Sequence, residues 1–147
     1  MDDRSDHELI ADVLIRYATG IDTKDWRLFR TCFTDDVNAD YGEIGVWNGV
    51  DEITEYMTAA HARMPRTNHI MSNFAIEVEG DHASATSYVH VVLVIAEDPL
   101  MWIDGVGQYA DELVRADDGW RIRERRYSTS RLIASDPALL EQRDVTQ

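Results

Sequence analysis

Positive charge is scarce in this chain. Fourteen Lys and Arg face twenty-eight Asp and Glu, a formal net charge of −14, and the sequence pI is near 4.5. Such a surface repels phosphate backbones and anionic headgroups, which argues against nucleic-acid and membrane partners and for plain solubility. Cysteine occurs once, at Cys32, so no internal disulfide can form and nothing speaks against a reducing compartment. Long apolar runs are missing too. The longest, from Val89 to Ala96, is interrupted by His90 and falls far short of the roughly 18 residues a spanning helix needs. The first six residues, Met1 to Asp6, are acidic and have neither a basic nor an apolar region, so no export signal is expected and the location expected is cytoplasmic. There is no Gly-rich phosphate loop, no G-x-S-x-G elbow and no H-E-x-x-H spacing, and one cysteine cannot build a zinc knuckle.

What is present reads as an ordinary globular composition: 147 residues, 44% hydrophobic and 29% charged. This length suits one domain, expected to span 1–147 with a core over about 6–133 and a tail over 134–147. Ser5-Asp6-His7-Glu8 is a capping box that opens a helix. Leu9, Ile10, Val13, Leu14 and Tyr17 follow at helical spacing, and Gly20 suits the stop. A second helix is expected from about Trp26 to Phe33, capped by Asp25, then a small hairpin from Val37 to Tyr41 and Gly45 to Asn48, and a third helix from Val50 to Arg63 closed by Pro65.

After Pro65 the residue usage changes to Val, Ile, Tyr and Thr. Thr67–Glu79, His82–Ile95, Trp102–Ala116 and Trp120–Ile133 read as strands, with turns at Gly80-Asp81, Glu97-Asp98-Pro99 and Asp118-Gly119. Such lengths exceed the usual 5 to 6 residues, which implies a strongly bent sheet with bulges. Asp136 to Arg143 is either a last helical turn or a tail. Helices first and a long antiparallel meander last predict an α+β fold, a cone-shaped barrel of N-terminal helices packed on a long, strongly curved antiparallel sheet enclosing a pocket.

The residues that could do chemistry are few. His69 opens the first long strand, and an imidazole accepts a proton near neutral pH without tuning; a ring that only bonds backbone groups is the alternative. Asp22 lies between two helices, where an aspartate usually caps or faces solvent. Because Asp25 is the better cap, Asp22 is free to support an imidazole. Tyr17 and Tyr41 are candidate phenol donors to a carbonyl oxygen. Tyr17 also fits the core stripe of the first helix, and Tyr41 sits in a more exposed place before Gly42. His90 and Tyr88 share one face of the second long strand, which lines either the cavity or a subunit interface. His7, His61 and His82 read as solvated. Arg121, Arg123, Arg125 and Arg131 fall on one strand face; surface salt bridges suit them, and Arg125 could hold an anionic substrate. Trp47, like Trp102 and Trp120, reads as core, interface or site wall.

Asp22-Thr23-Lys24-Asp25-Trp26, preceded by Tyr17, resembles the scytalone dehydratase-like, SnoaL-like branch of the nuclear transport factor two-like superfamily. The element order agrees from about Asp6 to Ile133. Tyr41 in Ala39-Asp40-Tyr41, His69 in Thr67-Asn68-His69 and the Gly119-Trp120-Arg121-Ile122 ending match as well. Where scytalone dehydratase has a tyrosine directly before the aspartate, this chain has Ile21; Tyr17 instead matches bile-acid dehydratase-like relatives. The resemblance implies an Asp22–His69 dyad that abstracts a proton, tyrosines that bind a carbonyl oxygen, and elimination or isomerisation without a metal or organic cofactor. The substrate class expected is a hydrophobic, carbonyl-bearing ring compound, steroid- or polyketide-like. Tyr41 and Tyr17 join Asp22 and His69 as catalytic candidates, with His90, Tyr88, Trp47 and Arg125 as substrate contacts. The alternative is a non-catalytic module holding an apolar ligand in the cone, and a metal site of Asp22, His69 and His90 is a weaker third. One-sided long sheets also favour self-association, as a dimer or trimer.

Overall fold

The computed structural model describes residues 2–141. Helix α1 spans Asp6–Asp22, and its start is the expected box: the Ser5 side chain accepts from the Glu8 backbone N–H while Glu8 reaches back to the Ser5 N–H. It does not stop at Gly20. The Lys24 and Asp25 N–H groups bond back to Ile21 and Gly20, with Lys24 left-handed at φ 54°, a Schellman closure made without glycine. Gly20 serves a different need. A Cβ there would stand 2.9 Å from the Phe29 backbone nitrogen, so glycine lets the next helix lie directly against α1.

Helix α2 is shorter than expected, Trp26–Arg30, capped by the Asp25 side chain on the Leu28 N–H. Strand β1 (Phe33–Asp40) and strand β2 (Val46–Asn48) form the expected hairpin, and helix α3 covers Val50–His61. Strands β3 (Arg66–Glu79), β4 (His82–Val94), β5 (Trp102–Ala116) and β6 (Gly119–Ala134) make the antiparallel meander. A short helix, α4 (Ala138–Glu141), follows, and Gln142 and Arg143 of the expected last turn lie outside the described residues.

The sheet is six-stranded, mixed and not closed, in the order β2-β1-β6-β5-β4-β3. The parallel β1–β6 pairing departs from an all-antiparallel expectation, because it joins the first strand to the last, with α3 and strands β2 to β5 between them in the chain. Bulges bend the long strands. Ser72 pairs with Tyr88 but Ala75 with Thr86, and Asn73 takes the left-handed conformation at φ 52°. On β6, Arg123 is the unpaired extra residue between Ile122 and Glu124, and Ser130 the one between Thr129 and Arg131. The architecture is α+β and cone-like. Helix α1 lies along β3, and a core of Ile10, Leu14, Phe29, Phe33, Ile53 and Ile122 fills the narrow end. Among the described residues no helix is long and apolar enough to cross a membrane.

Candidate functional site

Asp22 is the last residue of α1 and His69 the fourth of β3, so the packing of that helix on that strand brings together side chains 47 positions apart. The contact is tight. Asp22 Oδ1 lies 2.7 Å from His69 Nδ1, Oδ2 accepts the His69 backbone N–H at 2.8 Å, and Oδ1 also accepts the Thr67 hydroxyl at 2.8 Å. Burial pushes the Asp22 carboxyl up, but the bonds from His69 and Thr67 outweigh it and hold the group below the usual carboxylate range. An ionised carboxylate only accepts, so Nδ1 carries the imidazole hydrogen and Nε2 keeps its lone pair.

Opposite stand three phenols. The Tyr17 hydroxyl lies 2.8 Å from that of Tyr41 and 3.3 Å from that of Tyr109. Tyr41 is not the exposed residue expected from Gly42 beside it; it is 5% exposed, because its hydroxyl turns inward to Tyr17. Burial pushes all three phenols above their ordinary range, Tyr17 and Tyr109 well above it, so at neutral pH they are hydrogen donors. The Tyr17 and His69 rings meet edge to face, 6.5 Å between centres.

These groups wall a chamber of about 110 Å³ between α1, α3 and the inner sheet face; Met57, Val89, Val91 and Leu93 supply much of its apolar lining. It is smaller than the roughly 150 Å³ of an apolar cavity that accepts benzene. Tyr41, Ile44, Tyr127, Thr129 and Leu132 also line an adjoining outer recess of about 620 Å³, bordered by Leu140 of α4. The space is thus a narrow inner end with the imidazole and phenols, and a wide mouth.

The model of the SnoaL-like domain matches residues 2–126, a span that holds Asp22, Tyr41 and His69. The chain belongs to the SnoaL-like family. An uncharacterized protein of Mycobacterium tuberculosis, Rv2910c, is 30% identical over 122 residues, covering 82% of this chain and 83% of its own. Among solved structures, a protein of Novosphingobium aromaticivorans provisionally described as an aromatic ring hydroxylase is 30% identical, with a TM-score of 0.81 over 88% of this chain and 92% of that one. A second protein of that organism, provisionally described as a scytalone dehydratase, shares the fold at 22% identity, with a TM-score of 0.78 over 86% of this chain and 85% of that one.

Within this SnoaL-like fold, several expected contacts lie elsewhere. Arg125 does not face a ligand. The bulge at Arg123 reverses the strand's parity, so Arg125 turns inward while Arg123 stays outside. There its guanidinium bonds Asp111 at 2.7 and 2.9 Å, both side chains fully buried, and lies 4.2 Å from the Tyr17 ring centre and 3.9 Å from that of Tyr109. It supports the phenols from behind. Tyr88 and His90 point to the outer sheet face, since β4 turns Val89 and Val91 into the chamber. His90 pairs there with Asp104 at 3.0 Å, which also takes it out of any metal site with Asp22 and His69; among the described residues no three His, Cys, Asp or Glu groups cluster as metal ligands. Trp47 is one layer back, stacked on Tyr56 at 4.4 Å and against Tyr41 at 5.2 Å.

His61 is the residue the sequence reading missed. It is not solvated but 7% exposed, and it lines the chamber with its ring centre 5.9 Å from that of His69. Burial pulls it down to about 4. Its helical spacing from Met57, Ile53 and Val50 (i−4, i−8, i−11) is the signal that places it on the buried face of α3.

Proposed function

We propose that the chain is a cofactor-independent lyase or isomerase of the dehydratase type, acting on a hydrophobic, carbonyl-bearing ring compound with Asp22 and His69 as its proton-abstracting pair. The observation that carries this is the 2.7 Å bond between Asp22 and His69 Nδ1 beside an apolar chamber. It leaves Nε2 as a base whose developing charge the carboxylate offsets. His69 takes the hydrogen α to the carbonyl, the C–H electron pair moves towards the carbonyl oxygen, and a phenol of the Tyr17–Tyr41 pair holds that oxygen as it becomes an enolate. From the enolate, loss of a β-hydroxyl gives dehydration, and return of the proton at another carbon gives isomerisation.

Size refines the reading. The inner chamber is too small for a whole six-membered ring, so the reacting edge of the ring enters it and the rest of a steroid- or polyketide-like skeleton extends along the outer recess. The aromatic ring in the description of the 30%-identical protein belongs to that protein and agrees with a cyclic ligand here. Self-association belongs to the same proposal. The outer face carries Ile70, Tyr88 and Ile133, between 42% and 52% exposed, and a second copy would cover them; light scattering on purified protein reads the mass.

Cyclic ketones in heavy water test the chemistry. Catalysed exchange of the α-hydrogens, followed by NMR, needs no leaving group and reports proton abstraction alone. Wild type should exchange them and His69→Ala should not. Undiminished exchange in His69→Ala sinks the proposal, and tight ligand binding with no exchange in either protein favours the non-catalytic binding module.

A further inference from the structure

The chamber holds two imidazoles, and the chemistry above uses one. His61 ends α3, and its Nδ1 lies 2.8 Å from the Met57 carbonyl oxygen. A carbonyl only accepts, so Nδ1 is the donor. Because burial holds this ring well below its ordinary value, it is neutral at physiological pH, and Nε2 carries a bare lone pair. Among the described residues nothing donates to that nitrogen. His69 is in the same tautomer for a different reason, its bond to Asp22. The α3 and β3 walls therefore present two adjacent acceptors, with ring centres 5.9 Å apart and planes tilted by 40°.

The opposite wall is complementary. Three phenol hydroxyls bring three hydrogens to two mutual bonds, which leaves one hydrogen over. All three rings line the chamber. A ligand that satisfies the space must accept at the phenol end, present a removable C–H to His69, and donate to His61. A plain ketone does the first two and leaves the His61 acceptor without a donor from the ligand.

We propose that His61 is a specificity-determining residue: its Nε2 accepts a hydrogen bond from a hydroxyl on the bound ring, so the preferred ligand is a hydroxylated cyclic ketone. This rests on the proton-abstraction reading only for which carbon reacts, not for the binding preference. It also assigns the fate of the hydroxyl. A lone pair cannot protonate a departing oxygen, so the group His61 holds is one that stays. If another hydroxyl leaves, the C–H pair becomes the new C=C bond, the C–O pair departs with the oxygen, and the proton His69 took goes to that oxygen as water. No oxidant or reductant is needed.

Cyclohexanone and its 2-, 3- and 4-hydroxy derivatives are the probes, titrated by NMR into His69→Ala protein so that no chemistry intervenes, with nitrogen-15 in the histidine rings. At least one hydroxylated ring should bind about tenfold or more tightly than cyclohexanone, and the His61 Nε2 resonance should move upfield as it accepts the bond. Adding His61→Phe should erase the preference for the hydroxylated rings over cyclohexanone. Should that variant not fold, His61→Gln, which retains an acceptor, should keep part of the preference. Equal binding of all four rings, binding of none, or a preference that persists with Nε2 unmoved each overturns the inference. Ketone exchange by wild type alongside equal binding would leave the proposed function standing without His61. A hydroxyl preference alongside absent exchange would do the reverse.

Discussion

Asp22 holds His69 by two separate bonds: one carboxylate oxygen faces the ring Nδ1 at 2.7 Å and the other accepts the backbone N–H of the same residue at 2.8 Å. A single bond would set the tautomer. The pair also fixes where the strand sits relative to the end of α1, so the imidazole's tautomer and position both depend on one side chain. The carboxylate is 21% exposed and the imidazole 8%, so water competes weakly for either.

Asp22→Asn is the sharpest test of that arrangement. An amide keeps the shape but can offer an N–H where the carboxylate accepted, which favours the wrong tautomer of His69 and removes the charge that offsets the imidazolium. Activity should fall roughly 10²- to 10⁴-fold, with most of the fold intact as read by near-ultraviolet circular dichroism. Activity within a factor of two of wild type would show that Asp22 only joins helix to strand.

The stability of the protein should depend on pH through His61. Its folded value is about 4, against 6.5 for the free side chain, so the unfolded chain binds the proton more readily. Stability is therefore complete above pH 6.5 and falls as the pH drops from 6.5 towards 4. The full effect is of order 3 kcal/mol. Urea midpoints measured at pH 7 and pH 5 should differ, and His61→Phe should flatten that difference. Asp22, whose carboxyl is held low, contributes a further loss only as the pH falls from the ordinary carboxylate range downwards, beneath most of the His61 window.

Arg125 and Asp111 face each other across β5 and β6 with no exposed surface. Burial alone would pull the guanidinium down; Asp111, together with Tyr41 and Tyr17, more than offsets this and raises it. Removing one partner strands a buried charge, so Asp111→Asn should cost about 3–5 kcal/mol and lower the melting temperature markedly. Replacing both by an apolar pair of similar volume should recover most of that. Because the guanidinium lies against the Tyr17 and Tyr109 rings, the double replacement should restore stability more fully than activity.

Much of this was legible in the residues, and the gaps have physical causes. The capping box, the Asp25 cap and the four long strands follow from local pattern, and the D-x-K-D-W run with Tyr41 and His69 resembles the family to which the chain belongs. Gly20 reads as a stop because glycine after a helical stripe suits both a stop and a close approach, and only the position of Phe29 distinguishes them. Alternation groups Arg125 with Arg121 and Arg123 because it assumes an unbroken pleat, which the extra residue at Arg123 breaks. The β1–β6 pairing depends on how distant elements pack, which local spacing does not encode, whereas the burial of His61 is written in its helical spacing from Met57, Ile53 and Val50.

Gly107 offers a way to alter the mouth of the site without substituting the imidazole or the Tyr17–Tyr41–Tyr109 cluster, on which Tyr127 packs. A Cβ there would come within 2.5 Å of the Ser128 carbonyl oxygen and 2.6 Å of the Tyr127 ring and hydroxyl. The carbonyl is backbone and cannot yield cheaply, so Gly107→Ala should destabilise by roughly 1–3 kcal/mol. Tyr127 lines both the inner chamber and the outer recess, and the added methyl pushes it away from β5. Ligand binding should weaken more than the rate of bound substrate falls, a KM effect with a smaller change in kcat. Gly105→Ala is the matched control. Its nearest neighbours are the side-chain tips of Leu132 and Val91 at 3.1 Å, which can rotate aside, so it should be the milder of the two. Equal effects from both would mean that the wall as a whole, Leu132 and Val91 included, holds the ligand and that Tyr127 has no particular part in it.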